Sequence, residues 1–202
     1  MKIKTVELVL AAVYAALMAI GANIAAFLPP IQGVPLTFQT LVAILAGATL
    51  GSRIGALAMI VYTLIGLAGV PVFAGFSGGP GTIMSQTFGF ILSFILTAYA
   101  VGKIIERREH PNFSAFLLAG VAGLAANYIT GTLYMYFSLK LWINAPMTYG
   151  AIWVAMIPFL VKDIILTFAT VLIAPQIKSR LDAVRRKQTM PVGGNPSSRS
   201  HP

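Results

Sequence analysis

The stretch that decides the fold is the last long apolar run of the chain, AIWVAMIPFLVKDIILTFATVLIA, residues 151–174. A helix needs about 20 mostly apolar residues to cross a bilayer, and this run is long enough. Lys162 and Asp163 lie near its middle and are its only ionisable residues. A charge at the centre of a spanning helix costs roughly 2.5–3.5 kcal/mol on insertion scales, so such residues usually face a cavity or a partner. This pair is therefore the first candidate for a binding site.

The composition of the whole chain indicates a polytopic membrane protein. Of its 202 residues, 57% are hydrophobic and only 9% are charged, a balance that soluble domains do not need. Cysteine is absent, and the two histidines, His110 and His201, lie in a charged loop and in the tail. We therefore expect no disulfide, no thiolate chemistry and no metal site.

The sequence predicts an all-α bundle of six transmembrane helices surrounded by membrane lipid. The apolar runs that define them cover residues 6–27, 36–51, 54–74, 82–104, 113–138 and 150–175. We interpret residues 1–187 as one transmembrane substrate-binding domain. Residues 188–202 are rich in Pro, Gly, Ser and Asn and lack an apolar period, which predicts a disordered tail.

The distribution of positive charge supports six helices and orients them. With six spans, twelve of the fourteen Lys and Arg residues fall on one side of the membrane, namely Lys2, Lys4, Arg53, Lys103, Arg107, Arg108, Lys178, Arg180, Arg185, Arg186, Lys187 and Arg199. The positive-inside rule assigns that side to the cytoplasm. We expect a multi-pass plasma-membrane protein with both termini cytoplasmic. The positive residues that give the net charge of +9 lie between the apolar runs. This distribution orients membrane helices and does not indicate nucleic-acid binding.

The external loops are rich in glycine and proline. Residues 66–81 read GLAGVPVFAGFSGGPG, and glycine at such density lets backbone approach a ligand closely. Flexible turns between helices are the alternative interpretation. The loop lacks the terminal Lys-Ser/Thr of a nucleotide-binding P-loop, so we predict no ATP site in this chain.

Two further features permit more than one interpretation. Ala11, Ala15 and Ala19 recur at spacing four on the first helix, which allows close approach of another helix, either of a partner or of this chain. Asn127 lies inside the fifth predicted helix and would bond either to a neighbouring helix or to a ligand. Lys162 and Asp163 are about 100° apart on a helix; they could form a simple ion pair, or border a cavity that handles a ligand or protons.

Catalytic combinations are missing from the predicted spans. Apart from Glu7 at the very start of the first span, Asp163 is the only acidic residue inside a span, so no pair of carboxylates can form in the middle of the membrane. A Ser-His-Asp set and a cluster of metal ligands cannot be assembled either. We therefore do not expect an enzyme.

The chain resembles the BioY family, the biotin-specific S components of energy-coupling factor (ECF) transporters, over about residues 5–180. The motifs that carry the resemblance are residues 35–40 (PLTFQT), 47–51 (GATLG), 66–75 (GLAGVPVFAG) and 77–79 (SGG), Asn127, and residues 158–163 (PFLVKD). The family's usual Gly-Pro-Thr-Gly-Gly-Tyr at the start of helix 4 appears here as SQTFGF, residues 85–90. Only Thr87 and Gly89 are retained, and Gln86 could substitute as a polar contact.

The resemblance implies an S component that captures biotin from outside and needs no cofactor. Such a subunit docks on a membrane-embedded T component driven by two ATPases. The family's alanine motif, which contacts the T component, maps onto Ala11, Ala15 and Ala19, and its essential helix-6 aspartate maps onto Asp163.

The chemistry of biotin suits the candidate residues. The two N–H groups and the carbonyl of its ureido ring match Asp163 together with Asn127, Gln39 or Gln86. Its carboxylate would pair with Lys162. Apolar walls for the thioether ring are available from Phe73, and also from Phe38, Phe88 and Tyr134.

Three other functions remain open from the sequence. The first is an S component for another vitamin, such as thiamine or riboflavin. The second is a self-contained proton-coupled carrier that uses Asp163 as its relay. The third is a structural membrane protein in which the Lys162–Asp163 pair is only a packing device.

Overall fold

The computed structural model describes residues 4–31, 33–145 and 147–187, so the tail predicted at 188–202 lies outside the described residues. Within these ranges the fold is helical, which confirms the predicted class. The six α-helices are α1 (Thr5–Asn23), α2 (Gln39–Leu50), α3 (Ser52–Leu67), α4 (Phe88–Glu106), α5 (Phe113–Leu141) and α6 (Tyr149–Lys187). Two short 3-10 turns, Ala74–Phe76 and Pro80–Met84, lie between α3 and α4.

Several helix ends differ from the prediction. The third helix was expected to reach residue 74 but ends at Leu67, and the fourth begins at Phe88 rather than at residue 82. Gly69 has a φ of +104°, a conformation that ends helices. The connection between α3 and α4 is therefore longer than its apolar composition indicates. The last helix extends beyond residue 175, where Lys178 and Asp182 form an ion pair of 2.9 Å one turn apart.

Four of the six helices are long and apolar enough to cross a membrane, and the protein is membrane-embedded. These are α1, α4, α5 and α6. The other two, α2 and α3, have only 12 and 16 residues. They are joined through Gly51 alone, whose φ of +87° permits an immediate reversal between helices.

Glycines bring α2, α3 and α4 into backbone contact. A methyl group added at Gly47 of α2 would overlap the carbonyl oxygen of Ala98 on α4, and one added at Gly102 of α4 would overlap the backbone nitrogen of Ser52 on α3. Small residues allow this approach, which gains dispersion contacts where lipid provides no hydrophobic driving force. The same approach brings α2 beside α4, the two helices that supply Thr40 and Ser93 to the site described below.

The alanines predicted as a partner face lie inside this chain. Ala11 and Ala15 are only 2% and 5% exposed, in a core cluster shared by α1, α2, α3 and α4, and Ala19 is partly buried against it. A docking surface must be accessible, so the predicted assignment does not fit this packing. The neighbouring ridge, Ala12 and Ala16, is exposed. Spacing alone could not choose between the two ridges, because both carry alanine every four residues.

Candidate ligand-binding site

A cavity of about 490 Å³ lies beneath the α3–α4 connection and between α2, α4, α5 and α6. This volume is within the range of small-molecule sites. Its mouth is formed by exposed residues of the connection, including Ser77 and Gly78. Its deeper wall includes Asn127 and Asp163, which are 1% and 4% exposed. The cavity therefore leads from an exposed, glycine-rich rim to a polar, buried floor.

Asp163 is held at the floor by three neighbours. Its Oδ2 accepts hydrogen bonds from the hydroxyl of Tyr128 at 2.8 Å and from Oγ1 of Thr40 at 3.1 Å. Its Oδ1 lies 2.7 Å from Nζ of Lys162 in an ion pair, yet it accepts no directed hydrogen bond from the described residues. One carboxylate oxygen is thus saturated by the protein, and the other retains capacity to accept from a ligand.

The hydrogen bonds beyond Asp163 have a fixed direction. Thr40 Oγ1 also accepts from Nδ2 of Asn127 at 3.2 Å, and Oδ1 of Asn127 accepts from Oγ of Ser93 at 2.5 Å. A threonine hydroxyl has a single proton, which Thr40 donates to Asp163. The Asn127 amide must therefore present its N–H to Thr40 and its oxygen to Ser93. The donors therefore run from Asn127 through Thr40 to the carboxylate of Asp163.

Lys162 meets Asp163 although the two residues leave the helix in different directions. Its ammonium donates to the carbonyl of Thr37, which lies just before α2, and it lies 5.9 Å from the ring centroid of Phe38. The Lys162 side chain is 22% exposed, so the ammonium occupies the edge of the cavity. The long aliphatic stem makes this possible, since it can fold back toward its neighbour.

Gln39 and Phe73 also line the cavity. Nε2 of Gln39 donates to the Tyr62 hydroxyl at 2.8 Å, and that hydroxyl donates to the carbonyl of Val72 at 3.1 Å. Phe73 is 1% exposed and meets the Tyr62 ring edge-on with centroids 5.4 Å apart. These contacts connect α2 and α3 to the segment that covers the cavity.

Gln86 has a different position from the other predicted site residues. It is not among the residues that line the cavity; its Nε2 donates to the carbonyl of Gly33 at 3.4 Å and so bridges the two external connections. Of the four aromatic residues expected as walls, Phe73 lines the cavity, whereas Phe38, Phe88 and Tyr134 do not.

Several lining residues were not singled out from the sequence. The aromatic walls are Phe90, Phe94, Tyr128 and Phe159, and Met156 lies beside them. The spacing of four between Phe90 and Phe94 places both on one face of α4, and this signal could have found them. Nothing local in the sequence indicates that Tyr128 donates to a residue 35 positions away.

A larger cavity of about 690 Å³ lies at the opposite end of the bundle. Three of its charged groups are already engaged with one another or with a helix end. Lys178 pairs with Asp182, and the Glu106 carboxylate accepts from the backbone nitrogen and the hydroxyl of Ser52, both at 2.7 Å. The smaller cavity, with its buried carboxylate oxygen of unused capacity, is the better ligand site.

The fold and the site together define a class: a helical membrane protein that encloses a small-molecule cavity, in which a buried carboxylate pairs with a partly exposed ammonium. The chain belongs to the BioY family, whose family model matches residues 1–183. It is 46% identical over 178 residues to a protein of Bacillus subtilis (strain 168) named as a candidate biotin transporter, BioYB, covering 87% of this chain and 89% of that one.

Two further comparisons agree with this assignment. The "Biotin transporter BioY" of Thermotoga maritima is 36% identical over 172 residues, which cover 85% of this chain and 95% of that protein. The fold matches the crystal structure of an S-component for biotin from an ECF-type ABC transporter with a TM-score of 0.65. That match covers 88% of this chain and 95% of the other at 20% sequence identity, and it establishes the shared fold.

Proposed function

We propose that this chain is the biotin-binding S component of an ECF transporter and has no enzymatic activity of its own. It captures biotin at the external mouth and delivers it by docking on a T component driven by two ATPases. The observation that carries the proposal is the ion pair between Oδ1 of the buried Asp163 and Nζ of Lys162 at the cavity edge, 2.7 Å apart. Membership of the BioY family and relatives named as biotin transporters support this choice of ligand.

The pair is complementary to one end of biotin. A ureido ring presents an N–H donor directly beside a carbonyl acceptor, and the site presents an acceptor directly beside a donor. The N–H would bond to Asp163 Oδ1 and the carbonyl would accept from Lys162 Nζ. Charged partners strengthen both hydrogen bonds. The pair thus anchors the ureido ring as a unit.

This geometry revises the expected role of Lys162. The ureido ring and the carboxylate of biotin lie at opposite ends of the molecule, separated by an alkyl chain. Because Lys162 Nζ lies within 2.7 Å of Asp163 Oδ1, one extended ligand cannot give its ring to Asp163 and its carboxylate to Lys162. We propose that the carboxylate points to the mouth, where Ser77, Thr82, Ser85 and Thr87 line the cavity.

The proposed topology places all six helices in the membrane, with both termini in the cytoplasm. The connections at Gly51 and between Glu106 and Phe113 lie at the same end of the bundle as the start of α1, and the positive residues Arg53, Lys103, Arg107 and Arg108 lie at or near these connections. The cavity mouth lies at the opposite, external end. The short helices α2 and α3 would cross as a closely packed pair in the plasma membrane, where α4 covers them.

The direct test is calorimetric titration of the purified, detergent-solubilised protein with biotin. We expect binding with a dissociation constant below micromolar. No binding by protein that remains folded would refute the proposal. Competition by thiamine or riboflavin would indicate an S component for another vitamin, and uptake by this chain alone in proteoliposomes, driven by a pH gradient, would indicate a proton-coupled carrier.

Replacing Lys162 by Gln tests which end of the ligand this residue contacts. We expect Lys162→Gln to weaken the binding of biotin and of biotin methyl ester by the same factor, because the ammonium contacts the ureido carbonyl that both ligands share. The measurement is the ratio of the two dissociation constants in the variant and in the unchanged protein. A loss confined to biotin would instead assign Lys162 to the carboxylate.

The exposed ridge of α1 is the proposed contact with the T component. Ala12 and Ala16 lie on the accessible face of that helix, where their small side chains permit close helix approach. We expect the double replacement Ala12→Leu and Ala16→Leu to reduce biotin uptake by the assembled transporter at least tenfold, with biotin binding by the isolated chain unchanged. The matched control is Val13→Leu on the same exposed face; full uptake by the double variant would exclude this ridge.

A further inference from the structure

The cavity is covered by residues 72–76, which we call the roof segment. Phe73 of this segment is buried and, with Ala74, forms part of the cavity wall, whereas Phe76 at its other end is 58% exposed and precedes Ser77 of the mouth. Gly75 and Phe76 have φ values of +69° and +54°. Phenylalanine rarely adopts this left-handed conformation, so the mouth-side end of the roof needs an external restraint.

The side chain of Asn23 provides that restraint. Asn23 is the last residue of α1 and is 9% exposed. Its Oδ1 accepts from the backbone nitrogen of Phe76 at 2.7 Å, and its Nδ2 donates to the carbonyl of Val72 at 3.3 Å. A single amide thereby contacts both ends of the roof segment. The same Nδ2 donates to the carbonyl of Ala19 at 3.0 Å, which fixes the side chain to its own helix.

The two ends of the roof do not depend on Asn23 equally. The carbonyl of Val72 also accepts from the Tyr62 hydroxyl, and Phe73 packs edge-on against that ring. Asn23 is the side chain that the described residues provide as a partner for the Phe76 nitrogen. Loss of the amide therefore leaves the inner end attached and frees the mouth-side end.

We infer that Asn23 is a positioning residue for ligand capture: its amide holds the roof segment closed over the cavity and sets the rate of ligand release. The inference rests on the proposed function for the identity of the ligand, but not for the contact itself. Asn23 is fixed to α1, and the outer ridge of α1 is the proposed docking face. A partner that displaces α1 would therefore also displace the roof segment, because the Asn23 amide links the two.

The test uses Asn23→Ala and Asn23→Leu in the full-length protein. Leucine has the same number and branching of side-chain heavy atoms as asparagine, so it keeps the shape of the side chain while it removes both hydrogen-bonding functions. We expect hydrogen exchange at the Phe76 amide, measured without ligand, to accelerate at least tenfold in either folded variant. Biotin dissociation should also accelerate at least tenfold, with a smaller change in the association rate.

The control is Asn112→Ala, which removes a comparable side-chain contact far from the roof. Asn112 Oδ1 accepts from the backbone nitrogen of Ala115 at the start of α5, at the end opposite the cavity mouth. We expect this variant to leave Phe76 exchange and biotin release unchanged. Unchanged exchange in the Asn23 variants, or faster exchange with unaltered release, would overturn the inference. Failure of the unchanged protein to bind biotin would refute the proposed function. The exchange measurement would still show whether Asn23 restrains the roof segment.

Discussion

Asp163→Asn is expected to weaken biotin binding by at least about 2 kcal/mol, or roughly 30-fold. The carboxylate has Tyr128 and Thr40 donating to Oδ2, and the ammonium of Lys162 beside Oδ1. An amide must place its NH2 group on one of these sides. If the NH2 group takes the place of Oδ2, it faces the hydroxyl donors of Tyr128 and Thr40. If it takes the place of Oδ1, it faces the ammonium of Lys162 and the ureido N–H. In either orientation a buried donor meets donors, and Lys162 loses its counter-charge.

The matched control is Asp182→Asn, the same substitution further along α6. Asp182 pairs with Lys178 near the opposite end of the bundle, and its side chain is 37% exposed. Surface pairs of this kind contribute about 0–1 kcal/mol, so biotin affinity should not change. Both affinities are measured by calorimetric titration after thermal unfolding has shown that each variant is folded. Wild-type affinity in Asp163→Asn would remove this residue from the site.

Gly47→Ala is expected to have the largest effect on the fold. The added methyl group would overlap the carbonyl oxygen of Ala98, and because that atom belongs to the backbone, α2 and α4 must separate. Overpacking of this kind costs about 1–3 kcal/mol and occasionally more. We expect a lower midpoint of thermal unfolding in detergent. Biotin affinity should fall as well, since separation moves Thr40 on α2 away from the helices that complete the floor.

Gly150→Ala provides the opposite case. Gly150 lies in the first turn of α6 and has open space around the position of an added methyl group. Alanine is favoured over glycine in helices by up to about 1 kcal/mol, so this variant should be as stable as the unchanged protein or slightly more so. Equal stability of Gly47→Ala and Gly150→Ala would show that the contact between α2 and α4 tolerates a methyl group.

The sequence predicted some parts of the site and missed others for identifiable reasons. Asp163 and Lys162 stand out because charge inside an apolar run is costly wherever the run folds. Phe73, Gln39 and Asn127 lie on the cavity wall, whereas Gln86 bridges two loops outside it. Polar character alone does not say which way a side chain points at the start of a helix. For the same reason, spacing alone does not say which of the two alanine ridges of α1 is exposed.

The sequence by itself determined that this protein is a helical membrane bundle, and that one acidic residue, Asp163, lies in the middle of an apolar run. Both conclusions depend on composition and on periodicity along the chain, which are local properties. Only the tertiary structure decided that Thr40, Asn127 and Tyr128 surround Asp163, that Lys162 shares the site with it, and that Asn23 holds the roof. The physical reason is that these hydrogen bonds join residues between 35 and 123 positions apart. Such contacts form only where helix packing brings distant segments together.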